Sequence, residues 1–301
     1  MTPGGEAPRR VEAAAAPGAP GPAPSPAAPT LVVSIVVYHS DLLQLAATLD
    51  SLAAALALSR ERAELAAARV VLHDNASGTA YAARLRRLYR VYARRLAPLA
   101  QLQLSQALRN EGFGGGHNRA LRGRGGDLLL ILNPDVELAP QALGAALAAL
   151  RAEPRAVAVG PRCEGGDGRR EYLCKRYPTV LDLFLRGFAP SPLRRRFRQR
   201  LARYEYRDLE GGGPVLLLSG ACLLLRRDVF DRIGGFDRRY FMYFEDFDLS
   251  LRAAAHGRLL YQPAMCIVHH GGGAARKGWR HLRWFALSAR RFYARHGWRW
   301  A

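Results

Sequence analysis

The 301-residue chain contains two acidic sites whose neighbouring residues in the sequence are suited to catalysis. Asp135 closes the triplet Asn133-Pro134-Asp135, which follows an unbroken apolar run. Carboxylate oxygens are preferred ligands of divalent ions such as Mg²⁺, and such an ion neutralises the charge that develops on a departing diphosphate. The same residue types also favour a turn that ends a strand. Asp135 is therefore interpreted either as a metal ligand or as part of a turn.

A second acidic site, Glu245-Asp246, lies in a stretch dense in aromatic residues between positions 234 and 257. Burial among aromatic rings raises the pKa of a carboxyl group towards the range that suits a general base. The structural alternative is a helix start, with one acid as N-cap and with Asp248 paired to Arg252 on the helix surface. That alternative explains Asp248 but leaves the adjacent acids unexplained, so Glu245 and Asp246 are the candidate bases.

The segment from Asn110 to Asn118 reads N-E-G-F-G-G-G-H-N and is predicted to be a glycine-rich loop before a short helix. Backbone amides in such a loop can approach a diphosphate or a base, and the alternative is an ordinary flexible connection. Asp74-Asn75 offers a choice between an Asx turn and hydrogen bonds to the base or ribose of a nucleotide. His269, followed by glycines at 271–273, is either structural or a ligand of a metal or diphosphate.

The strands that must position these residues alternate with helices, as in a βαβ fold with a mostly parallel sheet. Short apolar runs predict strands at Leu31–Val37, Val70–Leu72, Leu102–Leu104 and Leu128–Leu132. Ligands of such sheets bind outside the carboxyl ends of the parallel strands. Asp74 and Asp135 both follow such ends, so their carboxylates are expected to face one crevice.

Helices are predicted where apolar residues recur at helical spacing. The first has leucines at 42, 45, 49, 52 and 56 behind a cap at Ser40 or Asp41, and the second runs roughly from Thr79 to Leu96. The second half of the chain is less regular. Its predicted elements are a strand from Val215 to Leu218 or Leu225, a helix from about Asp248 to Ala255 and a strand near Cys266–Val268.

The first thirty residues, Met1–Thr30, consist mainly of Ala, Pro and Gly and are predicted to be a disordered tail. Their prolines argue against the apolar helix of a signal peptide. The longest apolar run, Val215–Leu225, is too short to cross a bilayer. The four cysteines lack the spacing of a zinc site or a disulfide framework. These features predict a soluble or peripheral protein of the reducing cytoplasm.

A formal net charge of +20 points to an acidic partner, which can be nucleic acid, an anionic membrane or a phosphorylated substrate. Positive charge and aromatic residues are concentrated in Arg186–Arg207 and in residues 276–301. A nucleic-acid-binding protein would use such segments for stacking, but this alternative leaves Glu245-Asp246 unexplained. Peripheral attachment to anionic lipid uses the same charge. We therefore expect a membrane contact and no nucleic-acid partner.

The motifs, taken in order, resemble those of family 2 inverting glycosyltransferases, in particular the rhamnosyltransferase-like branch that builds bacterial surface polysaccharides. The resemblance extends from about Leu31 to the end. It rests on S-I-V-V-Y-H-S at Ser34, D-N-A-S at Asp74, N-E-G-F-G-G-G-H-N at Asn110, L-N-P-D-V-E-L at Leu132, K-R-Y-P-T at Lys175, S-G-A-C-L-L-L-R-R at Ser219, G-G-F-D-x-x-Y-F-M-Y-F-E-D-F-D-L at Gly234 and H-H-G-G-G at His269. His39 and Ala274 depart from the Asn and Ser that the family often has, and Asn133 replaces the first acid of its two-aspartate metal motif.

The resemblance implies a GT-A fold, a Rossmann-like α/β sheet flanked by helices. Residues 31–275 would form it, with a nucleotide-sugar half (31–135) and an acceptor half (136–275), followed by a basic amphipathic helix (276–301). Asp135 would bind Mg²⁺ or Mn²⁺, and His269 would complete the metal or diphosphate site. Asp246 would be the base, with Glu245 as its alternative. The nucleotide site would be lined by Tyr38, Asp74, Asn110, Phe113, Gly114 and Asn118.

The implied activity is transfer of a sugar, for which the branch suggests rhamnose, from a dTDP- or UDP-sugar donor to a hydroxyl group. The acceptor would be a glycan or a polyprenyl-diphosphate-linked glycan, and the site of action the inner face of the cytoplasmic membrane. A nucleotidyltransferase of related fold is the alternative enzyme. It should carry a G-x-G-T-R-type loop near the first strand, where this chain has Val36-Val37-Tyr38-His39.

Overall fold

The structure is a computed structural model that describes residues 27–271 and 278–301. Most of the predicted tail lies outside this part of the chain, and the first strand already includes Thr30. The strands are β1 (Thr30–Val37), β2 (Ala67–Asp74), β3 (Gln101–Gln106), β4 (Leu128–Leu132), β5 (Val136–Leu138), β6 (Ala156–Gly165), β7 (Arg170–Glu171), β8 (Gly213–Val215), β9 (Cys222–Arg226) and β10 (Arg258–His269). The helices are α1 (Leu42–Glu61), α2 (Thr79–Leu96), α3 (Gly112–Leu121), α4 (Ala142–Ala152), α5 (Val180–Gly187), α6 (Ser191–Arg196), α7 (Arg198–Tyr204), α8 (Arg227–Arg232), α9 (Glu245–Ala254) and α10 (Gly278–His296).

The described strands form one sheet with the order β3-β2-β1-β4-β9-β6-β10-β5, in which β7 also pairs with β6 and β8 with β10. Strands β1 to β4 are parallel to one another. Strand β9 runs antiparallel to both of its neighbours, and β5 runs antiparallel to β10. The sheet is therefore parallel where the first half of the chain builds it and mixed beyond β4. The predicted α/β class is confirmed.

Helices cover both faces of the sheet. In β1, Leu31, Val33, Ile35 and Val37 pack into a core with α1, α2 and α4, while Val32 packs into a second core with α3, α8 and α9. This alternation follows from the two-residue repeat of a strand. All five residues of β4 are apolar and buried, as expected for a strand that is covered on both sides.

Helix α1 begins at one of the two predicted caps. The carboxylate of Asp41 accepts hydrogen bonds from the backbone N–H groups of Leu43 and Gln44, at 2.7 and 3.4 Å. Within residues 27–271 and 278–301, α1 is also the one helix with the length and apolar composition to cross a membrane. Its leucines at 45, 49, 52 and 56 are fully buried in the core.

The glycine-rich segment differs from its prediction, because Gly112–Leu121 is helix α3 itself and not a loop before a helix. Glycine costs about 1 kcal/mol in a helix interior, but here it permits close packing. A Cβ atom on Gly114 would lie 2.6 Å from Cβ of Phe236, and one on Gly116 would lie 2.8 Å from Val36. The small residues therefore bring α3 against β1 and against the chain before α9.

The second half of the chain also departs from its predicted elements. The strand predicted from Val215 is two strands, β8 and β9, separated by residues 216–221. The strand predicted near Cys266–Val268 is the end of the twelve-residue β10, and the predicted helix begins three residues early, as α9.

Asp248 and Arg252 of α9 form the predicted ion pair, at 2.7 Å. The pair is not on the helix surface as predicted, because Asp248 is fully buried. Its second oxygen contacts Arg295 and His296 of α10, at 3.2 and 2.8 Å. The acid therefore binds α10 to α9.

The carboxyl-terminal helix α10 packs onto the chain that leads into α9. Phe292 and Tyr293 form an aromatic cluster with Tyr240 and Phe244. Beyond the helix, the carbonyl groups of Arg299 and Trp300 accept hydrogen bonds from the first two residues of α5. Helices α5 and α10 are therefore neighbours beside the start of α9.

Candidate active site

Asp135 and His269 meet at the carboxyl edge of the parallel strands. Strand β5 is antiparallel to β10 with Val136 opposite His269, and this register places residue 135 beside the end of β10. Nε2 of His269 lies 3.6 Å from Oδ1 of Asp135. The backbone N–H of His270 donates to the carbonyl of Asp135 at 2.9 Å. Asp135 and His269, the two metal ligands predicted from the sequence, are therefore adjacent.

The surroundings of Asp135 fit a bound divalent ion. Its Oδ1 atom is buried and has no hydrogen-bond partner within the described residues, although buried polar atoms are nearly always paired. A Cβ atom on Gly271 would lie 1.9 Å from Oδ2 of Asp135, so only glycine leaves room there. The carboxylate oxygen is a preferred donor for Mn²⁺ or Mg²⁺, and the imidazole nitrogen beside it offers a second donor atom. Asp135 and His269 are the residues that would hold the ion.

Glu171 of β7 contacts the other side of His269, with its Oε2 atom 3.3 Å from Nδ1. Burial by itself would lower the pKa of His269, but the hydrogen bonds and charges of Asp135 and Glu171 raise it overall. A carboxylate on one imidazole nitrogen orients the other nitrogen towards a metal. No motif in the sequence marks Glu171, and only the pairing of β7 with β6 brings it here.

Cys163 lies in the same region, and its sulfur and the ligand atoms of Glu171 and His269 all lie within 4.8 Å of one another. Burial, assisted by the charge of Glu171, raises the pKa of the Cys163 thiol to about 12. The thiolate is the form of cysteine that binds metals. Without a bound ion the thiol is therefore protonated at neutral pH, and the expectation that the cysteines form no metal cage stays a prediction.

Asp74 is the last residue of β2 and makes one of its two expected kinds of contact. Its Oδ1 atom accepts a hydrogen bond from the backbone N–H of Ser77 at 2.9 Å, as a turn requires. Its Oδ2 atom is buried without a partner in the part of the chain that the structure describes. Close by, Ser77 accepts from the backbone N–H of His39 at 3.0 Å, and half of the Tyr38 side chain is exposed. The exposed ring of Tyr38 is therefore available to a nucleotide, and a nucleotide contact of the buried Asp74 stays a prediction.

Asn110 is engaged with the protein itself. Its Oδ1 atom accepts hydrogen bonds from Nδ2 of Asn75 and from the backbone N–H of Gly112, at 2.9 and 2.8 Å. Asn75 also accepts from the backbone N–H of Glu111 at 3.1 Å. These bonds fix the start of α3 against the end of β2. A nucleotide contact of Asn110 stays a prediction.

Phe113, Gly114 and Asn118 also make internal contacts. Asn118 accepts from the backbone N–H of Phe236 at 2.9 Å and donates to its carbonyl at 2.7 Å. Gly114 lies against the same phenylalanine. The ring of Phe113 packs on Gly220, where an added Cβ atom would lie only 2.8 Å from the ring. These residues shape the wall of the site, and direct contact with the donor stays a prediction for them.

The acids Glu245 and Asp246 occupy the first turn of α9 in different environments. Glu245 is 5% exposed, and its Oε2 atom has no partner among the described residues. Asp246 is half-buried and accepts hydrogen bonds from the backbone N–H groups of Gly220 and Phe247, at 3.0 and 2.9 Å. Burial, with the charge of Asp246, raises the pKa of Glu245 to about 8. Burial also raises the pKa of Asp246, against the effect of its backbone donors.

Strained backbone precedes these acids. Tyr243 and Phe244 both have left-handed conformations, with φ of +71° and +64°. Such a conformation costs roughly 1–2 kcal/mol for a residue other than glycine. The ring of Phe244 packs against Phe285 and Phe292, with centroids 5.2 and 5.3 Å apart, and this packing holds the turn. The strained turn sets the direction in which α9, and with it the acid pair, begins.

A short path of bonds joins the acid pair to the Asp135 site. Gly220 donates to Asp246, and the carbonyl of the next residue, Ala221, accepts from the backbone N–H of Asn133 at 2.9 Å. Asn133 is two residues from Asp135. The candidate base at the start of α9 and the loop that bears the candidate metal ligand therefore both contact residues 220–221 at one edge of the sheet.

An α/β sheet with a carboxylate–histidine pair and a buried acid pair at its carboxyl edge defines the class of GT-A glycosyltransferases. The chain belongs to the family described as glycosyltransferase like family 2, whose model matches residues 29–292. The family membership predicted from the motifs is confirmed.

Two curated relatives are rhamnosyltransferases. The chain is 37% identical over 150 residues to the N-acetylglucosaminyl-diphospho-decaprenol L-rhamnosyltransferase of Mycobacterium tuberculosis, a match that covers 48% of this chain and 47% of the relative. It is 40% identical over 79 residues to the rhamnosyltransferase WbbL of Escherichia coli, covering 26% of this chain and 30% of WbbL. The chain thus spans about half the length, or less, of these relatives.

Solved structures show the same fold. The mannosyltransferase PcManGT of Pyrobaculum calidifontis, in complex with GDP-Man and Mn²⁺, matches with a TM-score of 0.56 at 20% identity over 85% of this chain and 60% of that chain. GalNAc-T7 with UDP, GalNAc and Mn²⁺ matches with a TM-score of 0.57 at 18% identity over 81% and 43% of the two chains. The predicted GT-A fold is confirmed.

Proposed function

We propose that the protein is an inverting glycosyltransferase that moves a sugar from a nucleotide-diphosphate donor to a hydroxyl group of the acceptor. The observation that carries this proposal is Asp246, a half-buried carboxylate held by two backbone N–H groups. Through Gly220 and Ala221 it adjoins the loop that bears Asp135. A base at the start of α9, next to the loop of a metal-binding carboxylate, is what this transfer needs.

Asp246 would accept the proton of the acceptor hydroxyl group. The acceptor oxygen then bonds to the anomeric carbon while the bond from that carbon to the diphosphate breaks, and the nucleoside diphosphate leaves with the electron pair. Attack opposite the leaving group inverts the configuration. A divalent ion held by Asp135 and His269 would stabilise the charge on the departing diphosphate. Glu245 would be protonated at neutral pH and so add no second negative charge beside the base.

The names of the relatives support a finer assignment. Both are rhamnosyltransferases, which supports rhamnose as the sugar, and one name specifies a diphospho-decaprenol-linked acceptor. Solved neighbours hold GDP-Man or UDP-GlcNAc, which supports a nucleotide-diphosphate donor. We therefore infer a dTDP- or UDP-sugar donor and a polyprenyl-diphosphate-linked glycan acceptor for cell-surface polysaccharide synthesis.

Exposed aromatic side chains support contact with a membrane. Phe184 and Phe188 of the α5 region and Trp279, Trp298 and Trp300 around α10 are exposed, and the same segments are rich in arginine. Aromatic rings with cations suit the interface of an anionic bilayer. We infer peripheral binding at the inner face of the cytoplasmic membrane, where a lipid-linked acceptor would be found.

The test is incubation with a panel of nucleotide sugars and Mn²⁺ or Mg²⁺, followed by thermal unfolding, product analysis and NMR assignment of the new anomeric bond. We expect one donor to raise the melting temperature only with the ion, and the product to be inverted. Asp135→Asn should abolish the ion-dependent shift. Asp228→Asn, at an exposed acid of α8, is the matched control and should preserve the shift. A retained anomeric configuration, or the same shift in Asp135→Asn, would refute the proposal.

A further inference from the structure

Three cations surround one carboxylate in a part of the molecule that the proposed mechanism does not use. Oε1 of Glu205 lies 3.1 Å from Nζ of Lys175 and 3.4 Å from Nε of Arg186. Oε2 of Glu205 lies 2.6 Å from Nη2 of Arg207. We call these four residues the Glu205 cluster. It brings together the K-R-Y-P-T motif, α5 and the chain after α7.

The Glu205 cluster has more positive than negative charge. Burial by itself would raise the pKa of Glu205, but Lys175 and the two arginines lower it overall, so the acid is ionised at neutral pH. One carboxylate offsets one of three cations. Burial, and to a smaller extent the nearby charge of Arg186, lowers the pKa of Lys175 to about 8. An anion that binds here would offset the excess of positive charge.

The cluster borders a cavity of about 210 Å³ that also contains the acid pair. Lys175 and Arg186 line this cavity together with Ser219, Glu245 and Asp246. Lys175 is almost fully buried, whereas more than half of the Arg186 side chain is exposed. Arg186 can therefore turn a donor towards a ligand in the cavity and keep its contact with Glu205.

The approach to the cavity is apolar as well as cationic. Arg186 lies on α5 between Phe184 and Phe188, which are 45% and 58% exposed. Phe285 of α10 lines the cavity at its other side. A ligand that places an anionic group on Arg186 would thus have exposed aromatic surface for an apolar chain on either side of it.

We propose that the Glu205 cluster binds a diphosphate group that carries an apolar chain, with Arg186 as the residue that contacts it directly. Guanidinium groups bind phosphate oxygens in pairs, and the cavity has room for such a group beside the candidate base. Only the identity of this ligand as the acceptor rests on the proposed function. The donor's diphosphate belongs at Asp135 and His269, on the other side of Gly220.

The test measures binding by calorimetry in buffer with EDTA, so that no metal ion can hold a diphosphate at Asp135. The probes are farnesyl diphosphate, inorganic pyrophosphate and farnesol. We expect the intact protein to bind farnesyl diphosphate, pyrophosphate to displace it and farnesol not to bind. Arg186→Ala should weaken binding roughly tenfold to a hundredfold, as expected for a lost hydrogen bond between charged groups. Arg186→Lys should recover part of the affinity.

The matched control is Arg194→Ala, at an arginine of α6 in the same basic segment, which does not line the cavity. It should change the affinity less than twofold. Equal loss in both alanine variants would mean diffuse charge attraction and would overturn the proposal. Because this assay needs neither donor nor turnover, an absence of glycosyl transfer leaves its result interpretable.

Discussion

Substitution of each acid by its amide, Asp246→Asn and Glu245→Gln, separates the two candidate bases. The side chains differ in what stabilises their charge. Asp246 has two backbone N–H donors, whereas burial and the adjacent charge raise the pKa of Glu245 to about 8. At pH 7 the protonated form of such a group predominates. An amide therefore reproduces the form that Glu245 already has, but removes the base at Asp246.

The expected magnitudes follow from this difference. Asp246→Asn should lower kcat by about 100-fold to 10,000-fold, the usual contribution of a general base, which equals roughly 3–5 kcal/mol of transition-state stabilisation. Glu245→Gln should change kcat at pH 7 by less than about twofold, because the glutamate is mostly protonated there. Donor affinity should survive both changes, since neither acid lies at the Asp135 site.

The assay is release of nucleoside diphosphate with saturating donor and acceptor at pH 7, combined with calorimetric measurement of donor binding. A large loss of kcat in Glu245→Gln with nearly normal turnover in Asp246→Asn would refute the assignment of the base. Equal large losses in both would show that the two carboxyl groups act as one unit sharing a proton.

Two further outcomes test the packing and the buried charge. Gly114→Ala should destabilise the fold by about 1–3 kcal/mol in urea unfolding, because its Cβ atom would lie 2.6 Å from Phe236. Gly125→Ala, at a position with open space around it, should be nearly neutral. Equal effects of the two substitutions would contradict the packing. The raised pKa of Glu245 means that the folded protein holds an extra proton between pH about 4.5 and about 8. The contribution of this proton to stability is therefore present at low pH and is lost as the pH rises through this window. The melting temperature should fall less steeply with rising pH in Glu245→Gln than in the unsubstituted protein. Parallel profiles of melting temperature against pH would contradict this.

Much of the parallel half of the fold could be predicted from the sequence, because β4 is an unbroken buried apolar run and α2 has strong apolar periodicity. Both elements have the predicted bounds, Leu128–Leu132 and Thr79–Leu96. Asp135 follows the end of β4 as expected, and Asp74 is itself the last residue of β2. In the mixed half, β10 contains Pro263 and an irregular register between Gln262 and Cys266. Periodicity revealed only its last residues, since a bulged strand interrupts the two-residue repeat.

The glycine-rich helix and the Glu171 contact show why the remainder was hidden. Intrinsic propensity disfavours a helix with four glycines in five positions, and only the closeness of Phe236 and Val36 explains why α3 forms. Glu171 is polar, lies in a two-residue strand and belongs to no motif. Its contact with His269 depends on which strands pair in the sheet. The residues around Glu171 in the sequence carry no signal of that pairing.

Asp135 and His269 come together only across the pairing of β5 with β10, although β5 directly follows the parallel strands and β10 is the last strand in the described chain. During synthesis, β1 to β4 can associate as they leave the ribosome, since chains begin to fold from their amino-terminal part. At that stage Asp135 would lie beside an incomplete sheet without His269, because contacts between distant segments form late. Affinity for the ion would thus be acquired at the end of folding, and metal binding would report that the last strand is in place.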